Sequence, residues 1–338
     1  MSIQDPSDMH SMIVNYPKQF ARGLDLAKEV KLSRDVAEVI VVGIGGSALA
    51  PDIVFNLFGG HIIVPTCVHR SYDLPKKVSA QTLVIAISFS GNTEETLSAV
   101  ELAYEQGARV VAVASGGKLA KFAREHSLPL VLLTRESDNF QPRMSSGYII
   151  AILTQLLVSA GVLATSDKEM LLAAAESLSK MELEQQGKQI AQLLPGRIPL
   201  IYTSDSYWPV ARIAKIKINE NSKTPCFWNV LPEMNHNEMV GFSNTQGVGY
   251  FALLLRDLAD NSRINRRMEV LAEVLREKGI ESKTVEMPGT NKYEKTLGTL
   301  MLMDWVSYWL ALELGIDPTP VEMVEKFKAA MAPGRVPR

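Results

Sequence analysis

The feature that most narrows the folds open to this chain is a series of near-continuous aliphatic runs, each closed by small or polar residues. "EVIVVGIGGSALA", "TLVIAIS", "RVVAVASGG" and "LPLVLLT" are the clearest of them. Strands that alternate apolar and polar residues lie on a half-exposed sheet; unbroken Val/Ile/Leu runs belong to strands buried on both faces. Between these runs lie stretches of helical period, such as "EETLSAVELAYEQGA", whose apolar residues recur at helical spacing before a Gly stop. Strands alternating with helices give a parallel sheet covered on both sides. From Ile198 the pattern resumes with "IPLIYTS", "SYWPVARIAKIKINENSK", "TPCFWNV", "VGYFALLL" and "RRMEVLAEVLREKG". The expected fold class is therefore α/β, with two similar domains, each a mainly parallel sheet flanked by helices on both faces. The expected division is 1–165, a charged helical bridge over 166–194, and 195–338, which suits a chain of 338 residues.

Charge and cysteine content exclude several classes of function. A net charge of -2 gives no electrostatic reason to expect a nucleic acid or an anionic membrane as partner. Cys67 and Cys226 are the only cysteines and have no paired spacing, so a disulfide framework and a metal cluster are not expected. A reducing cytoplasm is the natural setting. The N-terminal "MSIQDPSDMHSMIV" lacks the basic and apolar regions of a secretion signal. "YIIAILTQLLVSAGVLA", Tyr148 to Ala164, is short for a membrane span and carries Thr154, Gln155 and Ser159; it reads as a buried core helix.

Two turns carry the chemistry. "SFSGNTEETLSAV", Ser88 to Val100, takes the chain from a buried strand into a helix. Helix N-termini present unpaired N–H groups and a positive dipole end, and bind phosphate readily. Ser88, Ser90 and Thr93 add hydroxyls, Gly91 allows close backbone approach, and Glu94 and Glu95 suit a first helical turn. Three hydroxyls in six residues exceed what a helix cap needs. The second turn, "GIGGSA", fits a dinucleotide fingerprint only loosely, with Ala48 in place of the last Gly and no acidic residue at the right distance. It reads better as Gly45 and Gly46 opening the backbone to a ligand, with Ser47 as a donor. The second half has no Ser/Thr-rich turn, so the anion site belongs to the first.

These turns, followed by "INENSK" and "NVLPEMNHNEMVGF", resemble the bifunctional phosphoglucose/phosphomannose isomerase family, built from sugar isomerase domains. The resemblance runs from about residue 20 to the end. It implies two such domains, a phosphorylated hexose as substrate, no cofactor and no metal. It also implies a homodimer whose site is shared, with His236 donated by the neighbouring subunit. The implied reaction interconverts glucose 6-phosphate, and mannose 6-phosphate, with fructose 6-phosphate through a cis-enediol.

The residue types suit that chemistry on their own terms. Moving a proton between adjacent carbons needs a base with a suitable pKa, and Glu220 supplies one at the end of a helix carrying Arg212, Lys215 and Lys217. His236 can exchange protons near neutral pH, as ring opening requires. Arg143, after the strand "LPLVLLT", stands where such sheets bind ligands; by resemblance it would stabilise the enediolate. In "VEMVEKFKAAM", Val321, Val324, Lys328 and Met331 share one helical stripe, so Lys328 is expected to interrupt an apolar face and need a partner. The family carries a functional Lys near its C-terminus, matched to Lys328 with Lys326 as the alternative. Blander roles stay open for each: Glu220 as a solvated helix end, His236 as a loop histidine, Arg143 paired with Asp138 or Glu136, Lys328 as a snorkelling surface residue. The competing functions are a monospecific glucose-6-phosphate isomerase and a non-catalytic phosphosugar sensor; glucosamine-6-phosphate synthase would need a Cys nucleophile domain. "FWNV" and "DWVSYW" are expected to fill core.

Overall fold

The computed structural model describes residues 5–137, 139–245 and 247–331. Helices α1 (Met9–Val14) and α2 (Tyr16–Ala27) lead into the first unit. There follow β1 (Glu38–Val42), α3 (Leu49–Leu57), β2 (Thr66–His69), β3 (Thr82–Ser88), α4 (Glu94–Glu105), β4 (Arg109–Ala114), α5 (Gly117–Glu125), β5 (Leu130–Leu132) and α6 (Ser146–Ser159). Helices α7 (Thr165–Leu178) and α8 (Leu183–Ala191) occupy the middle of the chain. The second unit comprises β6 (Ile198–Ser204), α9 (Trp208–Ser222), β7 (Phe227–Leu231), β8 (Tyr250–Arg256), α10 (Ser262–Glu277), β9 (Glu281–Glu286), α11 (Lys292–Glu313) and α12 (Glu322–Met331).

All strand pairs are parallel, as the unbroken aliphatic runs require. The first sheet has the order β2-β1-β3-β4-β5, and the second β7-β6-β8-β9. The second sheet thus repeats the order of the first four strands of the first. In each, strand order reverses beside the first strand of the unit, between β1 and β3 and between β6 and β8. Ligands of open α/β sheets bind at such a switch point, outside the C-terminal strand ends. Both turns singled out in the sequence follow β1 and β3, so the topology brings them together.

Alternate residues along the strands serve different cores. Ile40, Val84 and Ala112 pack with Ala99, Val100, Leu119 and Ala123 of α4 and α5. Val41, Ile85 and Val113 face the other way, into a core that also holds Ile149 and Leu153 of α6, Ile213 of α9, Leu302 and Trp305 of α11, and Ile201 and Leu253 of the second sheet. The inner faces of the two sheets therefore share one apolar core. At about 1.5–3 kcal/mol for each fully buried aliphatic side chain, this shared core holds the two units in fixed register. Helix α6, the stretch that most resembled a membrane span, lies inside it, with Tyr148 through Thr154 buried. No helix among the described residues is long and apolar enough to cross a membrane. One aromatic expected in the core is not there: Phe227 is exposed at the start of edge strand β7.

Candidate active site

The turn after β3 gathers hydroxyl groups into a cradle. Ser88 and Thr93 place their hydroxyl oxygens 2.9 Å apart, and the Gly91 N–H donates to Ser88 Oγ at 3.1 Å. The Phe89 N–H donates to Ser47 Oγ at 3.1 Å, which ties the loop after β1 to the loop after β3 across the switch point. Ser90 is exposed beside them. Thr93 is the N-cap residue of α4 yet makes no side-chain capping bond, so its hydroxyl is not spent on the helix. Gly91 has φ +70, and a Cβ there would lie 1.8 Å from the carbonyl oxygen of Gly116 in the next loop, so no other residue fits. Thr96, one turn further along, was not anticipated; it is buried and its hydroxyl has no partner among the described residues.

Gly46 connects this cradle to Arg143. A Cβ on Gly46 would stand 2.9 Å from the Arg143 backbone N, so the two segments meet backbone to backbone. Arg143 lies in the short 3-10 turn (Pro142–Met144) that leads into α6 and is 2% exposed. Its Nε donates to Asn221 Oδ1 at 2.6 Å, and Nη2 donates to the carbonyls of Pro318 and Thr319 at 2.9 and 2.8 Å. Nη1 donates to Gln141 Oε1 at 3.3 Å and stands 3.5 Å from the Glu220 carboxylate. Four of the five guanidinium N–H groups are thus committed to the protein. The fifth, on Nη1, is on the Glu220 side. Burial lowers the Arg143 pKa, but a guanidinium stays charged at any physiological pH.

Glu220 lies in the last turn of α9, partly exposed, and the cations around it are not those expected from its own helix. Lys217 is buried in an ion pair with Asp304 of α11 at 2.6 Å, both side chains being 2% exposed. Burial pushes the Asp304 carboxyl up against the opposing pull of Lys217. Arg212 donates to Asp52 of α3 at 2.6 Å. Arg143 and Lys223 take the place expected for Arg212 and Lys217. Glu136 is likewise taken, by Arg22 and Tyr148, and Asp138 lies outside the described residues. Asn221 was present in the quoted "INENSK" but not singled out; it bridges Arg143 to Ser307 of α11 through Nδ2 at 2.9 Å.

His236 does not join this cluster within one chain. It ends the 3-10 turn Glu233–His236 after β7, exposed, beside the edge of the second sheet. The segment that follows is pinned by Glu238, which accepts from Tyr202 Oη and Asn229 Nδ2 at 2.5 Å each. Lys328 departs from its expected environment. No residue of α12 is buried; Lys328 is 64% exposed in its side chain and pairs with Glu325 at 2.8 Å, while Lys326 pairs with Glu322. The stripe drawn through Val321, Val324 and Met331 therefore does not face the core of this chain. Met323, at 85% exposed, and Phe327, at 67%, form with Val324 and Met331 an apolar face that nothing among the described residues covers.

The matching switch point of the second sheet is filled from within. Asp257, just past β8, accepts from Tyr207 Oη at 2.7 Å, from Lys295 Nζ at 2.5 Å and from the Ala259 N–H at 2.8 Å. A protein carboxylate occupies the place where the first half offers hydroxyls. Among the described residues no group of three His, Cys, Asp or Glu is arranged to hold a metal ion. A groove of about 760 Å³ lined by Ser11, Arg22, Asp25, Glu136 and Tyr148 contains none of the site residues expected from the sequence.

Comparison with known proteins extends these observations to the whole chain. The family model described as SIS domain matches residues 34–160, and that described as bacterial phospho-glucose isomerase C-terminal SIS domain matches 183–331. The bifunctional phosphoglucose/phosphomannose isomerase of Aquifex aeolicus is 34% identical over 325 residues, covering 95% of this chain and 97% of that protein. The protein of the same name from Caldicellulosiruptor bescii is 31% identical over 340 residues, covering 96% and 99%. Among solved structures, the C-terminal domain of glucosamine-fructose-6-phosphate aminotransferase from Francisella tularensis superposes with a TM-score of 0.72 at 15% identity, covering 93% of this chain and 98% of that one; it shares the fold.

Proposed function

The chain belongs to the bifunctional phosphoglucose/phosphomannose isomerase family, and from that premise we propose how its own residues interconvert glucose 6-phosphate and mannose 6-phosphate with fructose 6-phosphate. Two domains, 1–165 and 195–338 joined through 166–194, bring their inner faces to one site. The substrate phosphate sits on Ser47, Ser88, Ser90 and Thr93, with the Gly45 and Gly46 backbone beside it. Glu220 carries the proton between C1 and C2, since a carboxylate can take it from one carbon and return it to the other. Arg143 sets its charge, and the Nη1 N–H that has no hydrogen-bond acceptor among the described residues, toward the oxygen on which negative charge develops. His236 and Lys328 assist ring opening.

The observation that carries this reading is a continuous set of contacts: the Ser88 turn to Ser47, Gly46 to Arg143, and Arg143 to Glu220. A phosphate held at one end is thereby linked through three contacts to a carboxylate beside a buried cation. Two features support a homodimer with a shared site. His236 is exposed at the edge of the second sheet, and the apolar face of α12, the helix of Lys328, has no cover among the described residues. We place the enzyme in the cytoplasm, in central hexose phosphate metabolism.

The test is incubation with fructose 6-phosphate while both epimeric aldose phosphates are followed. Formation of glucose 6-phosphate alone would reduce the reading to a monospecific isomerase; formation of neither would remove it. Glu220→Gln should abolish turnover and leave the affinity for a phosphosugar inhibitor within about threefold, because only the proton carrier is lost.

A further inference from the structure

Resting on Glu220 as the base, we propose that Lys223 is a positioning residue for it: with Arg143, Lys223 clamps the backbone of residues 317–319 to the end of α9 and so fixes where the Glu220 carboxylate stands. Lys223 Nζ donates to the carbonyl of Asp317 at 2.8 Å and to that of Asn221 at 3.1 Å. Arg143 Nη2 holds the next two carbonyls, Pro318 and Thr319. Three consecutive carbonyls of the segment between α11 and α12 are thus held by two cations, and both cations also anchor on Asn221, the residue that follows Glu220 on α9.

The backbone at Lys223 supports a specific use of its side chain. Lys223 is the C-cap residue of α9 at φ 54, ψ 27, a left-handed conformation that helix ends usually give to Gly. A side chain there costs about 1 kcal/mol in strain. What Lys supplies and Gly cannot is an ammonium that meets one of the last carbonyls of α9, which have no partner inside the helix, and complements the negative end of the helix dipole. The charged groups facing its Nζ are Arg143 from the 3-10 turn, Asp317 from the loop after α11, and Glu220 from α9 itself. Although Lys223 is an exposed residue overall, desolvation of its amino group and then the Arg143 charge lower its pKa to about 8. Above that pH the clamp keeps its contacts but loses the charge that strengthens them.

The experiment uses the full chain and steady-state rates on fructose 6-phosphate from pH 6 to about 10, a span that brackets the lowered lysine value and stops short of the ordinary one. Lys223→Met should lower kcat about 10- to 100-fold, the scale expected when a reacting group is misplaced, with KM within about twofold. Wild-type kcat should decline on the alkaline side as the amine titrates. Lys223→Arg should restore kcat to within about threefold and move that decline to higher pH, because a guanidinium keeps its proton. Wild-type kcat in Lys223→Met, or an alkaline decline in Lys223→Arg that coincides with wild type, overturns the proposal. Should Lys223→Met fail to fold, the position of the Lys223→Arg decline decides. Glu220→Gln measured alongside separates the two readings. Undiminished turnover there removes the base assignment, whereas an inactive Glu220→Gln beside an unaffected Lys223→Met removes only the role of Lys223.

Discussion

The guanidinium of Arg143 stands 3.5 Å from the carboxylate of Glu220, and the two residues come from different halves of the chain. Arg143 is held by Asn221, Gln141 and the carbonyls of Pro318 and Thr319, so it cannot swing to meet a ligand. A fixed charge requires no reorganisation when charge shifts during reaction, which is the condition for effective electrostatic stabilisation. The same bonds make Arg143 a structural tie between the turn before α6, the end of α9 and the segment after α11.

That double role sets the outcome of Arg143→Lys. A lysine keeps the charge but cannot reproduce the planar fork, and it strands Asn221 Oδ1 and at least one buried carbonyl. We expect a loss of about 2–4 kcal/mol in stability and about 100-fold in kcat. Thermal melting and steady-state kinetics check this; a variant that melts and turns over like wild type would mean the clamp is idle.

The cradle after β3 predicts a different kinetic signature. Removing both hydroxyls with Ser88→Ala and Thr93→Ala should raise KM by about tenfold or more, as phosphate contacts are made in ground and transition states alike. The paired changes Ser177→Ala and Ser179→Ala, at hydroxyls that bond the Ala174 and Glu176 carbonyls at the end of α7, serve as the control and should leave KM unchanged. Equal effects from the two pairs would dissociate the turn from the phosphate.

Asp257 predicts a pH dependence of stability. Burial pushes its carboxyl up, but Lys295, Tyr207 and the Ala259 N–H outweigh burial and hold its pKa below the usual carboxylate value. A depressed folded pKa means stabilisation that is complete above the unfolded value of about 3.9 and is lost as pH falls through the folded value. Asp257→Asn should therefore cost about 1–3 kcal/mol at neutral pH and flatten the acid limb. Urea midpoints from neutral pH down to the acid limb measure both; a variant that keeps the full acid loss would place the titration elsewhere.

Much of this fold is legible along the chain because its signals are local. An unbroken run such as "TLVIAI" can be satisfied only by burial on both faces, and "SFSGNT" only by a turn, whatever surrounds them. The strand order and the Gly46 contact with Arg143 were not legible, yet they follow from parallel strands packed as a switch-point sheet. The misjudged residues share one cause: their environment is set by something distant. Lys217 reads as a cation near Glu220, but one face of α9 is covered by α11, where Asp304 waits. Lys328 reads as inward because apolar residues flank it, yet a short helix has an inside only if another surface covers it.

From its residues alone, the chain settles which segments are strands, that they run parallel under helices, and that hydroxyls and glycines gather at the turns where they end. Those outcomes depend on hydrogen-bond geometry and apolar burial within a few residues. Which partners a charged group finds was decided by packing: Arg143 meets Asn221 at a separation of 78 residues and Pro318 at 175. Charge–charge energies depend on spatial distance and burial, and neither is encoded in the periodicity of a single segment.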